Sequence, residues 1–320
     1  MYRLLRLYNQ NRAKIWFTII IIVFIISLIQ ILNYFAKISN EEKVNNEMEN
    51  KETTYNNVVS YDKQSESIIS NTKLSEESKN KYGQLLDDFF TKCVNHMPGQ
   101  AYELLSEDIK DNMYQSESLF ENLYYQNRFD GNKQYSFQLW MNNDNRYTYL
   151  VKVYDNMLAT GKSSDDEYIE DYVTVVEENG KYVLNINSYI GKEEINAFAK
   201  NDEISIKVTN GYIYKDYEIF DIVIKNNTDK KILLDSKENI KTIYVSDNIN
   251  NKYEAVLSEN KDKDLIFDRN ETKNISIKFN IIRRENMKIK NMGFSDIVIN
   301  YEEYMSNNED KNVVDLEIKF

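Results

Sequence analysis

The stretch YIEDYVTVVEENGKYVLNIN, residues 168–187, decides how the folded part of this 320-residue chain is read. Two apolar-rich runs, 168–177 and 181–187, flank Glu178-Asn179-Gly180. Asn-Gly between such runs is the strongest short signal for a β-hairpin, because both residues accept a positive φ. Upstream, residues 134–141 alternate with Tyr135, Phe137, Leu139 and Met141 on one side, and residues 147–158 with Tyr147, Tyr149, Val151 and Val153. A period of two belongs to strands with one covered face, so these runs predict one antiparallel sheet.

Further upstream the period changes. Tyr82, Leu85, Leu86, Phe89, Phe90, Cys93 and Met97 recur at helical spacing, and Pro98-Gly99 stops that helix. Ala101, Leu104, Leu105 and Ile109, then Leu119, Phe120, Leu123 and Tyr124, suggest two shorter helices. Helices packed on one sheet give an α+β domain over residues 81–198. The element order, closing on the EENGKYVLN hairpin (177–185), resembles the nuclear-transport-factor-like fold, also called SnoaL-like or cystatin-like. That resemblance implies a cone-like domain and brings no catalytic residue with it.

Downstream of residue 200 the pattern is strands alone, at 203–209, 218–226, 241–246, 252–257, 274–281, 295–300 and 313–320. Short strands separated by polar turns predict an all-β sandwich over residues 199–320. The segment YEIFDIVIKNNTDKKILL (217–234) resembles bacterial immunoglobulin-like modules, without the paired cysteines of antibody domains.

At the amino end, IWFTIIIIVFIISLIQILNYF runs from Ile15 to Phe35 with no charged residue. A helix of that length reaches about 31 Å, against a hydrocarbon core of about 30 Å, so it reads as a transmembrane helix. Trp16 near one end suits the headgroup layer, as does Tyr34 near the other. Arg3, Arg6, Arg12 and Lys14 precede the run, while only Lys37 and Lys43 follow it closely. The positive-inside rule then leaves residues 1–14 in the cytoplasm and carries the rest outside. A cleaved signal peptide is the competing reading, but the run is long for one and no small-x-small site follows it. Residues 36–80 are polar and too sparse in apolar side chains to offset ordering entropy, so a flexible linker is expected there.

Composition narrows the function classes. The net charge of −12 disfavours nucleic acid, whose recognition needs clustered Lys and Arg. The single cysteine, Cys93, rules out an internal disulfide. His96 is the only histidine, three residues beyond Cys93 at the end of the first helix; capping that helix is its expected role, and no third residue completes a nucleophilic triad. The acidic cluster Ser164-Asp165-Asp166-Glu167, with Glu170 and Asp171, lacks the alternating ligands and central glycine of a calcium loop. No catalytic, cofactor-binding or metal-ligating set is expected.

What remains is aromatic. Tyr135, Phe137, Trp140, Tyr147, Tyr149, Tyr168, Tyr172 and Tyr182 all fall on expected strands and form the candidate binding face, with sheet packing as the plainer role. The expected function is a non-enzymatic, single-pass scaffold of the bacterial cell envelope whose outer domains bind envelope proteins. The anchor-plus-cone arrangement also resembles components of conjugation and type IV secretion machines. The alternative is a binding protein that holds a small ligand or wall fragment on the concave face of the cone.

Overall fold

The computed structural model describes residues 74–143, 145–156, 168–235, 242–257, 265–284, 286–306 and 312–320. The first helix, α1 (Glu76–Val94), begins ahead of the expected start because the Ser75 hydroxyl accepts the Ser78 N–H at 3.1 Å and Glu76 and Glu77 favour the positive end of the helix. Two short helices follow, α2 (Pro98–Tyr102) and α3 (Glu107–Asn112). Then α4 (Glu117–Phe120) runs through a π-helical turn (Glu121–Tyr125) into α5 (Gln126–Phe129). With the turn widened, consecutive Tyr124 and Tyr125 are both buried.

Strands β1 (Lys133–Asn143), β2 (Arg146–Asp155), β3 (Tyr168–Glu178) and β4 (Lys181–Asn185) form an antiparallel meander, the first sheet. The β3–β4 hairpin turns at Asn179 and Gly180, with φ of 52° and 75° and Glu178 paired to Lys181, which is the geometry the Asn-Gly pair predicts. The helices lay Leu86, Phe89, Phe90, Phe120 and Phe129 on one face of this sheet, against Phe137, Leu139, Val151, Val153 and Val173.

The second sheet has the order β12-β7-β6-β5, from β5 (Tyr189–Lys200), β6 (Ile204–Tyr214), β7 (Tyr217–Asn226) and β12 (Thr272–Asn280). The third contains β8 (Ile232–Leu233), β9 (Ile243–Asp247), β10 (Lys252–Glu254), β11 (Ile266–Phe267) and β13 (Ile289–Val298), with β14 (Val313–Lys319) paired to β13. A short helix, α6 (Tyr301–Ser306), precedes β14. Ile206, Val208, Ile222, Ile224 and Phe279 of the second sheet share a core with Val245, Met292, Phe294 and Ile318 of the third.

This corrects the expected fold class of a transmembrane helix, an α+β cone-like domain and an immunoglobulin-like sandwich. The described chain is mostly β with few helices, and its sheets do not divide at residue 198. Strand β5, which carries no strong strand pattern, crosses that position: Tyr189 sits in the helix-covered core, while Ala197 and Ala199 pack against the core between the second and third sheets. Register shifts at Tyr189/Gly191 and Glu194/Ala197 let one strand serve both, since an extra residue bends a strand and turns its side chains over. Among the described residues no helix is long and apolar enough to cross a membrane; the run from Ile15 to Phe35 lies outside them.

Candidate functional site

The eight aromatic residues do not share a face. Tyr135, Phe137 and Tyr149 are buried in the helix-covered core, and Tyr147 and Tyr182 pack at its rim around Tyr82, with ring centroids 4.6 Å and 5.0 Å from it. The β1–β2 register slips between Leu139 and Met141, and Trp140 and Met141 both lie in a separate small cluster with Ile190 and Ile213. There Tyr172 meets Trp140 edge-on at 4.9 Å, with the Lys215 ammonium 4.3 Å above its own ring. Tyr168 is 45% exposed, its ring carrying Lys152 at 4.3 Å. The helix-facing side of the first sheet is filled by packed aromatic rings, Phe89, Phe90, Phe120, Tyr124 and Phe129 among them.

Cys93 and His96 part company. The thiol is fully buried, and burial pushes its pKa far above the ordinary value, so it stays protonated at neutral pH. His96 adopts φ 58° just past the helix end: its N–H donates to Cys93 C=O at 3.2 Å and the Met97 N–H donates to Lys92 C=O at 2.9 Å. This is the Schellman ending, at which glycine is preferred. The ring Nδ1 lies 2.7 Å from the Tyr125 hydroxyl. Replacing His96 with glycine relieves the left-handed backbone strain and loses the part-buried contact with Tyr125, so thermal unfolding should show H96G between neutral and about 1 kcal/mol more stable than wild type.

Two buried polar groups, neither resolved by sequence reasoning, tie the sheets together. Asp171 on β3 is almost fully buried. Its Oδ2 accepts the Tyr124 hydroxyl at 2.7 Å and the Asn187 N–H at 3.1 Å, and its Oδ1 accepts the N–H groups of Tyr172 at 2.7 Å and Ser188 at 3.0 Å. Arg128 stacks on Tyr124, 4.3 Å from the ring, and donates to Asn187 Oδ1 at 2.8 Å. Burial raises the Asp171 pKa above the ordinary carboxylate value, against the opposing pull of Arg128 and these hydrogen bonds. Asn187 and Ser188 both have positive φ, and the carboxylate is what gathers their N–H groups. In the sequence Asp171 was one more member of an acidic run; Glu170 of that run is exposed on β3, and residues 164–167 lie outside the described residues.

The second group is a line of alternating charge. Arg283 and Glu218, 3% and 2% exposed, approach to 2.8 Å between Nε and Oε1, an ion pair whose N–H is not aligned for a hydrogen bond. Arg283 also reaches Glu193 at 4.0 Å and donates from Nη1 to Met287 C=O at 3.2 Å. Glu193 takes Arg146 at 3.2 Å, and Arg146 donates to Lys192 C=O at 2.8 Å. Gly191, at φ 156°, leaves room for this: a Cβ there would lie 3.0 Å from Arg146 Nε. Burial raises the Glu218 pKa, with Arg283 opposing. The chain of charges thus joins the first sheet, through β2, to β5 and β7 of the second.

The other distinctive surface is the outer face of the second sheet. Its two end rows read Lys200–Ser205–Lys225–Thr272 and Phe198–Lys207–Val223–Asn274 across β5, β6, β7 and β12. Phe198 is 57% exposed, and Lys200, Lys207 and Lys225 are exposed without an ion-pair partner among the described residues. At the opposite end of the same face, Tyr189 and Tyr214 are drawn into or against the helix-covered core, and Tyr189 donates to Asp108. Among the described residues no group of three or more His, Cys, Asp or Glu is arranged to hold a metal ion. No protein-family model, curated protein or solved structure matches the chain.

Proposed function

We propose that the chain is a scaffold held at a membrane by the apolar run from Ile15 to Phe35, with its β-rich part outside the cell membrane binding other envelope proteins. The observation that carries the reading is one end of the second sheet's outer face, where the large exposed aromatic residue Phe198 lies beside three lysines that have no ion-pair partner among the described residues, in a chain of net charge −12. An aromatic anchor within a polar, solvent-accessible rim is the usual anatomy of a protein contact surface. The flank asymmetry of Arg3, Arg6, Arg12 and Lys14 supports the orientation. The likeness to conjugation machinery rested on the cone arrangement and adds nothing to this reading.

A photo-crosslinking residue placed at position 198 in intact cells tests it. A discrete adduct with one protein is expected, lost when Lys200, Lys207 and Lys225 are changed to glutamate. Absence of any protein adduct, or protection of the β-rich part from protease added outside, would count against the scaffold.

A further inference from the structure

Strand β12 ends the second sheet, and among the described residues its outer edge is covered only at one end. The Val256 N–H donates to Lys278 C=O at 2.7 Å and Ala255 bridges Phe279. Backbone groups alternate in direction along a strand, so the N–H and C=O of Asn274 and Ser276 point the same way as the Lys278 carbonyl, away from β7. Among the described residues neither has a backbone partner on that side. Alongside this open stretch lies a cleft of ≈ 360 Å³ with Val256, Leu257 and Leu265 facing Ile275 and Ile277.

We propose that this edge takes up, as an added strand, an extended segment of a partner protein in which apolar and acidic residues alternate. The inference rests on the scaffold reading and names the partner's chemistry. From Thr272 to Ile277 the edge suits about six extended residues, whose main-chain groups would pair with those of Asn274 and Ser276. Every second side chain of the added strand falls over the cleft, where apolar groups match Leu257, Leu265 and Ile277. The others fall on the outer face beside Lys278; one strand further in are Lys225, opposite Thr272, and Asp221, opposite Ser276 and already engaged by that serine's hydroxyl at 2.7 Å. Between Lys273 and Lys278 the strand reads Asn-Ile-Ser-Ile, without a carboxylate, and the Lys278 ammonium lies 3.7 Å from the Tyr217 ring with no ion-pair partner among the described residues. A second copy of this chain offers the same edge only more lysine, and brings a second net charge of −12.

The probe is a peptide of about seven residues alternating valine and glutamate, added to the 320-residue chain. At saturation, amide hydrogen exchange at Asn274 and Ser276 should slow by about tenfold or more. The same peptide with lysine for glutamate should bind about tenfold more weakly, and Lys278→Glu should reverse the preference. Asn274→Pro should abolish binding while Asn274→Ala keeps it, because the proline removes an N–H that β7 does not use. Should N274P fail to fold, a backbone N-methylated peptide serves instead and should not bind. Unchanged exchange at both amides, or binding by N274P or the methylated peptide equal to the parent, would overturn the proposal. Edge protection without an adduct from position 198 would sink the scaffold and leave the strand-addition site; an adduct without edge protection would do the reverse.

Discussion

Changing Asp171 to alanine is expected to cost about 4 kcal/mol, a large share of the stability of a domain this size. The carboxylate gathers the Tyr124 hydroxyl and the N–H groups of Tyr172, Asn187 and Ser188, and alanine leaves several of these donors unpaired, each at about 1–3 kcal/mol, with Arg128 short of a counter-charge. Asparagine repairs only part of this, because its amide turns two hydrogens toward groups that are themselves donors. The pH dependence has a definite sign. Burial sets the folded pKa of Asp171 above its ordinary 3.8, so the folded chain holds this proton more tightly than the unfolded chain does. The proton-linked part of its contribution to stability is therefore full below 3.8 and is lost as pH rises from there through the raised value. Denaturant unfolding of wild type and D171N across that interval should show the wild-type advantage shrinking with pH. An advantage that grows with pH would show the carboxylate to be stabilised in the folded state, contrary to the burial argument.

The second large effect concerns Arg283. Arg283→Met should cost about 4 kcal/mol, because it leaves the Glu218 carboxyl buried without its partner, either as an unpaired charge or obliged to take up a proton. Removing both charges, Arg283→Met with Glu218→Met, should return stability to within about 1 kcal/mol of wild type, since two buried ions cost nearly as much to desolvate as their attraction returns. The double-mutant cycle from chemical denaturation measures the coupling directly. Additive losses would mean that the two residues act separately, with Arg283 valued for its bond to Met287 and its approach to Glu193 instead.

These two groups also show where sequence reading stops. Asp171 and Glu218 belong to a chain rich in carboxylates, and nothing local marks either as buried; the marking comes from partners 47 and 65 residues away, Tyr124 and Arg283. The aromatic residues of the first sheet were legible as strand residues and as apolar, but which face each covers depended on the slip at Leu139/Met141. A single added residue reverses every side chain beyond it, and no propensity predicts where it falls.

By itself the sequence determined the local conformations: the helix of Tyr82, Leu86, Phe89 and Phe90, though not its start at Ser75, the Asn179-Gly180 hairpin and most of the strands, because period and turn chemistry act over a few residues. Tertiary structure alone decided that Tyr189–Lys200 is a strand, that it belongs to two cores, and that the sheets do not part at residue 198. That run, YIGKEEINAFAK, is poor in strand formers and becomes extended only because β6 supplies its hydrogen bonds and two separate cores take its side chains.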